Sequence, residues 1–223
     1  MTGRELDAVV FDVNETLFSL QRMRPAFAHA GLDPAQVPLW FARLLRDGFA
    51  LAAMGGYATF ADLAADALRG LDPVRVDDTV VAEVLAAFRE LDPHPDVRPA
   101  FELLRDADIP AVTLTNGGAE LVQGLLARAG LTGLVDRCLS VDAVRRWKPA
   151  ADPYRHAATE LGTEPHRLAL VAAHPWDCAG AHAAGLRSGW VNRTGDAWPR
   201  VFPTADASGA DLTAVVTGLL AAR

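Results

Sequence analysis

The stretch DAVVFDVNETLF, residues 7–18, decides the fold. AVVF is apolar and rich in β-branched residues, the pattern of a short parallel strand covered on both faces. Asp12 follows it directly, and a turn-like Asn-Glu-Thr comes next. In an open α/β sheet ligands gather at the carboxyl ends of the strands, so an acid in that place is the first residue to weigh for chemistry.

Working outward, similar apolar runs recur at IPAVTLTN (109–116), RCLSVDAV (137–144), LALVAA (168–173) and SGWVNR (188–193). Between them lie helix-period segments, among them ELVQGLLARAG (120–130) and ADPYRHAATELG (151–162), each ending on a glycine suited to a helix C-terminus. Strands alternating with helices predict βαβ units and a doubly wound parallel sheet. From Ser19 to Leu91 the rhythm breaks: VPLWFARLLRDGFALAAM (37–54), YATFADLAADALRG (57–70) and DDTVVAEVLAAFREL (77–91) read as helices, and no strand stands out. The expected architecture is α/β, a Rossmann-like core of residues 1–18 and 92–223 with a helical insertion over 19–91. Prolines 93, 95 and 99 mark the chain's return.

The 223 residues suffice for a buried core, and a formal net charge of −7 argues against a nucleic-acid partner, which calls for a basic face. Two cysteines, Cys138 and Cys178, make no disulfide framework and suit a reducing cytoplasm. The opening MTGRELDAVVF has no apolar leader core, and no run approaches the roughly 20 apolar residues that cross a bilayer, so neither secretion nor a membrane is expected.

The strand-end rule brings four groups together: Asp12 with Asn14, Thr115 with Asn116, Lys148, and His174 to Asp177. A carboxylate there can act as ligand, base or covalent nucleophile. Thr115, Asn116 and the following Gly117-Gly118 suit an anion, through side-chain and backbone donors. Lys148 can neutralise a substrate's charge or that of Asp12. Asp177 can activate water or hold Lys148, and His174 reads equally as a base, a binding group or a helix-start residue before Pro175. Tyr154 lies near the start of the helix after Lys148 and either faces the site or packs as a half-buried aromatic. Histidines 29, 94, 156, 166 and 182 show no metal-ligand spacing. Each residue alone also fits an ordinary cap or turn; their order along one inferred sheet favours a site.

The motifs FDVNETLF, TLTNGG, SVDAVRRWKPAADPY and LVAAHPWDCAGAHAAGL, in this order, resemble the haloacid dehalogenase superfamily, and within it the type II L-2-haloacid dehalogenases. The resemblance implies a helical cap after the first motif and Asp12 as nucleophile, forming an ester that water hydrolyses without a cofactor. It also implies that Thr115 and Asn116 bind a substrate carboxylate, that Lys148 and Tyr154 support the nucleophile, and that Asp177 handles water.

The sequence departs from these patterns in several places. Superfamily phosphatases keep a proton-donating aspartate where this chain has Asn14, whose amide cannot act as that acid. They also place an acidic Mg²⁺ ligand where this chain has Ala173. The dehalogenases' halide-binding arginine is replaced by Phe41, with Arg43 and Arg46 nearby on the same predicted helix and expected within reach of the site, and their Ser and Asn are Ala172 and His174. His174 is expected to take over the lost amide's place, as a base that activates water. The leading expectation is therefore a hydrolase acting on a small 2-halo acid or similar organic anion. The alternatives are a Mg²⁺-dependent phosphatase of the same superfamily and a ligand-binding protein that has lost turnover. A homodimer is implied by the resemblance alone.

Overall fold

The computed structural model describes residues 6–221; the first five residues of the segment read for a leader, and residues 222–223, lie outside them. Strand β1 (Ala8–Phe11) runs through a tight turn into β2 (Phe18–Ser19). The α-helices α1 (Met23–His29), α2 (Val37–Met54), α3 (Phe60–Arg69) and α4 (Asp78–Ala86) come next. The chain returns on β3 (Asp92–Pro93), which pairs antiparallel with β2 through Phe18 opposite Pro93 and Ser19 opposite Asp92. Helix and strand then alternate through α5 (Val97–Asp106), β4 (Ala111–Thr115), α6 (Ala119–Arg128), β5 (Arg137–Ser140), α7 (Ala151–Leu161) and β6 (Leu168–Ala172). The last elements are α8 (Pro175–Ala183), β7 (Arg187–Val191), β8 (Ala207–Gly209) and α9 (Leu212–Ala221).

The main sheet has the order β5-β4-β1-β6-β7-β8, and its strand pairs are all parallel. Alternation along β1 divides the core. Val9 and Phe11 pack with α5, α6 and α9, where Phe11 meets Phe101 edge-on at 5.1 Å, while Ala8 and Val10 pack with α7 and α8. Burial on both faces is why this strand is unbrokenly apolar. From β1 the chain crosses to β4 and β5 on one side, then to β6, β7 and β8 on the other, so Asp12 stands where the winding reverses.

The structure differs from the sequence pattern in detail. α3 starts at Phe60 rather than Tyr57, because Thr59 and Asp62 form a reciprocal cap at the helix start. The third strand stops at Ser140 instead of running to Val144: the Ser140 hydroxyl accepts the Asp142 N–H at 3.0 Å and turns the chain into a short 3-10 segment. β8 and α9 add a strand and a helix that the pattern does not announce. Cys138 and Cys178 are free thiols, the second buried. Among the described residues no helix is long and apolar enough to cross a membrane.

Candidate active site

The site assembles from the end of β1, the turn after β4, the loop between β5 and α7, and the start of α8. Asp12 continues the β1–β6 pairing by one bond, its N–H donating to the Val171 carbonyl at 3.0 Å. The turn after it closes at once: Glu15 N–H donates to Phe18 O at 2.8 Å, and Leu17 N–H to Val13 O at 2.9 Å. This fold-back brings Thr16 under the carboxylate. Its hydroxyl donates to Asp12 Oδ2 at 2.7 Å and accepts the Ala173 N–H at 2.8 Å, tying β1 to the end of β6. Asn14 is half-buried in this turn, with its backbone bridged to Phe18.

Lys148 is fully buried. Its Nζ donates to Asp12 Oδ1 at 2.8 Å, Asp177 Oδ2 at 2.6 Å and the Leu114 carbonyl at 2.9 Å, using all three ammonium protons. Its N–H donates to Asn116 Oδ1 at 3.0 Å, so Asn116 anchors the lysine's backbone. The Thr115 hydroxyl accepts from Gly117 N–H at 2.9 Å and shapes the turn before α6. Asp177 sits in the first turn of α8, where the helix dipole favours an anion and Pro175 starts the helix without wasting a donor. Its Oδ1 accepts the Tyr154 hydroxyl at 2.5 Å, which places Tyr154 in the site network.

Two carboxylates share one ammonium away from water, and only one of them can be fully compensated. Burial pushes the Asp12 carboxyl up, but Lys148, helped by His174 and Thr16, outweighs it and holds the group below the usual carboxylate range. Asp177 is raised: burial, with the Asp12 charge adding to it, outweighs Lys148. Burial pulls Lys148 down, yet the two acids hold it above an ordinary lysine. Burial and the neighbouring Asp177 push the Tyr154 phenol well up, so it stays a donor.

The helical insertion lies against this centre. Asp12 is only 6% exposed. The loop carrying Lys148 is fastened to the insertion by Arg146, whose Nη1 donates to Ala52 O at 2.7 Å, by Trp147, whose Nε1 donates to Ala58 O at 2.9 Å, and by a Tyr57–Asp142 hydrogen bond. Phe41 of α2 is buried and lies 6.3 Å, ring to ring, from His174, which in turn stacks on Trp176 at 5.2 Å. The arginines that the sequence put within reach of Phe41 do not come to the site. Arg43 Nη1 donates to Gly70 O at 3.1 Å, and Arg46, 68% exposed, pairs with Asp47. Two and five positions beyond Phe41, they lie on other faces of the helix. A groove of about 970 Å³ between α4 and α6 contains none of Asp12, Lys148 or Asp177 and is set apart from this chemistry.

Of the residues that the sequence points to, Asp12, Lys148, Asp177, Asn116 and Tyr154 share one hydrogen-bonded network, with Thr115, Phe41 and His174 around it. Thr16 and Glu15 belong to the same centre and escape the strand-end rule. Thr16 has a usable signal, a hydroxyl four residues after the acid in a turn. Among the described residues no group of three or more His, Cys, Asp or Glu side chains is placed to hold a metal ion.

The model of the haloacid dehalogenase-like hydrolases matches residues 6–185. The chain is 33% identical over 196 residues to the (S)-2-haloacid dehalogenase of Xanthobacter autotrophicus, covering 84% of this chain and 76% of that protein. It is 26% identical to haloacetate dehalogenase H-2 of a Moraxella species, covering 91% and 93%. The structure of the L-2-haloacid dehalogenase from Xanthobacter autotrophicus with chloropropionic acid covalently bound superposes with a TM-score of 0.89 at 25% identity, over 98% of this chain and all of that one. With the family model matched over residues 6–185 and the parallel sheet agreeing, this chain belongs to the haloacid dehalogenase-like hydrolases.

Proposed function

We propose that this hydrolase cleaves a small 2-halo acid or a similar organic anion through an ester on Asp12. The observation that carries this reading is the Asp12 carboxylate itself: ionised, 6% exposed, and fixed by Thr16 at 2.7 Å and Lys148 at 2.8 Å. The carboxylate attacks the carbon bearing the leaving group, a C–O bond forms, and the leaving group departs with the electron pair. Water then adds to Asp12 Cγ, the Cγ–O bond to the substrate breaks, and the alcohol takes a proton. Thr115, Asn116 and the turn before α6 receive the substrate carboxylate, with Asn14 and Phe41 bounding it. Lys148 offsets charge at Asp12, and Tyr154 fixes Asp177. That leaves Asp177 and His174 as the two bases near the ester.

Residues 19–91 serve in this reading as a cap that keeps bulk water from the ester, on a core of residues 1–18 and 92–223. Asn14 supplies no acid for an alkoxide, which favours a leaving group that departs unassisted, and Ala173 supplies no ligand for Mg²⁺. No cofactor takes part in these steps. The relatives named for haloacids support a haloacid substrate.

Multiple turnover of (S)-2-chloropropionate in H₂¹⁸O is expected to place ¹⁸O in the Asp12 carboxylate, read by mass spectrometry of its peptide. Product formation with an unlabelled Asp12 would sink the covalent route. A second expected result concerns Gly180, where an added Cβ would lie 2.6 Å from the Tyr154 hydroxyl and 2.6 Å from Pro149 Cβ. Gly180→Ala pushes the phenol off Asp177 and lowers kcat on the order of 10²-fold, the scale set by a misplacement of about 1 Å. An unchanged kcat in a folded Gly180→Ala variant would remove Tyr154 from the mechanism.

A further inference from the structure

We infer that Glu15 and His174 form a carboxylate–imidazole pair in which His174 accepts the proton of the water attacking the Asp12 ester while Glu15 orients the ring and balances the charge it gains. This rests on Asp12 as nucleophile and decides between the two bases that reading leaves.

Asp177 is poorly free to act. Both of its oxygens already accept short bonds, from Lys148 at 2.6 Å and Tyr154 at 2.5 Å, and its side chain has no exposure to water. Each oxygen keeps a second lone pair, but a general base must also touch the water it deprotonates, and burial denies Asp177 that contact. His174 is differently placed. It occupies the N-cap position of α8 but makes no capping hydrogen bond, so its ring is not spent on the helix. The side chain is 17% exposed and lines a cavity of about 360 Å³ whose walls also carry Glu15, Arg24, His94 and Arg193. Trp176, stacked at 17° to the ring, and Phe41 fix its plane. The residue before His174 is tied to the nucleophile through Thr16, whose hydroxyl bonds both Asp12 Oδ2 at 2.7 Å and the Ala173 N–H at 2.8 Å.

Glu15 supplies the second half. Its Oε2 lies 3.5 Å from His174 Nε2, an ion-pair separation that shortens to a hydrogen bond with a small side-chain movement. Its backbone has a φ of 63°, a left-handed conformation that strains a residue with a Cβ. The conformation is enforced from both sides, by Glu15 N–H donating to Phe18 O at 2.8 Å and by His94 Nε2 lying 3.2 Å from Glu15 O. Strain held this firmly beside a nucleophile is a recognised mark of a working position. In the hydrolysis step one proton passes from water to the free ring nitrogen as the water oxygen bonds to Asp12 Cγ. The imidazolium returns that proton to the departing alkoxide, Asp12 gives up the second water proton to solvent and is again a carboxylate, and Glu15 stays ionised throughout.

The test is rapid-quench mass spectrometry of the Asp12 peptide with (S)-2-chloropropionate, on the full chain and its Glu15→Gln, Glu15→Asp, His174→Gln and Asp177→Asn variants. His174→Gln is expected to form the ester within about threefold of the normal rate and to hydrolyse it about 10²–10⁴-fold more slowly, the range that one general base supplies. Glu15→Gln is expected to leave ester formation unchanged and slow hydrolysis about tenfold, the worth of 1.4 kcal/mol of pair interaction. Glu15→Asp, which keeps the charge facing the ring, is expected to recover part of that loss. A purely structural role for Glu15 would slow ester formation as well and would not follow the charge. Normal hydrolysis in Glu15→Gln overturns the pair while leaving Asp12 intact, as does an ester that persists only in Asp177→Asn. Product without any Asp12 adduct in any variant overturns the nucleophile, and the pair with it.

Discussion

Asp12→Asn is expected to lower kcat by at least about 10⁴-fold, the scale on which removal of a covalent nucleophile acts, while leaving the melting temperature unchanged or higher. The two effects separate because the wild-type site holds two carboxylates on one ammonium, with Lys148 bonded to Asp12 at 2.8 Å and Asp177 at 2.6 Å, all buried. Asparagine keeps the shape of the side chain. Its Oδ1 still accepts from Lys148 and its Nδ2 faces the Thr16 hydroxyl, which accepts as readily as it donates. The cluster's excess negative charge disappears, and Asp177, the carboxylate left short of compensation beside Asp12, has Lys148 to itself. Halide release measures the first effect and thermal unfolding the second. Turnover within tenfold of wild type would overturn the nucleophile assignment, and a drop of several degrees in melting temperature would overturn the account of the site's charge balance.

Much of this arrangement is legible in the sequence because it depends on strand ends, which hydrophobic runs mark well. AVVF, LALVA and AVTLT are buried on both faces, and the parallel topology brings together the residues beyond their ends, Asp12, His174 to Asp177, and Asn116. The same rule says nothing of Thr16 or Glu15. Their importance comes from the turn's fold-back and from a positive φ, and Asn-Glu-Thr is composed like any other turn. Arg43 and Arg46 illustrate the opposite failure. Nearness along a helix does not fix which face a side chain takes, and both point away from Phe41. β8 is unreadable for a third reason, since Ala-Ser-Gly on a sheet edge has no β-branched residue to signal a strand. In α9 the apolar residues continue through LTAVVTGLLA and blur the helical stripe that would have shown its buried face.

Lys148→Met is expected to remove turnover and to destabilise the protein by about 3–5 kcal/mol, the range found when one partner of a buried ion pair is removed. For a chain of this size that is on the order of 10 °C in melting temperature. Methionine fills the lysine's channel without strain, so the loss is electrostatic: Asp12 and Asp177 remain buried with no cation, and the Leu114 carbonyl loses its donor. The pH dependence identifies the cause. In the wild type, Asp12 is held below its ordinary value, so its contribution is complete above the unfolded carboxylate range and goes as pH falls through the folded value. Lys148 is held above its ordinary value, so its contribution is complete below the unfolded lysine range and goes as pH rises through the folded one. Asp177 runs the other way, because a raised carboxyl binds its proton more tightly in the folded state and favours the fold as pH falls through its folded value. Asp12 and Lys148 are therefore both charged between about pH 4 and pH 10. Without the ammonium, burial raises both carboxyls above their unfolded values, and the folded variant binds protons more tightly than the unfolded chain. Its urea midpoint is then expected to climb as pH falls from about 8 to 5, more steeply than that of the wild type. A variant whose midpoint is flat over that interval, or rises with pH, would show that Lys148 acts through packing rather than charge.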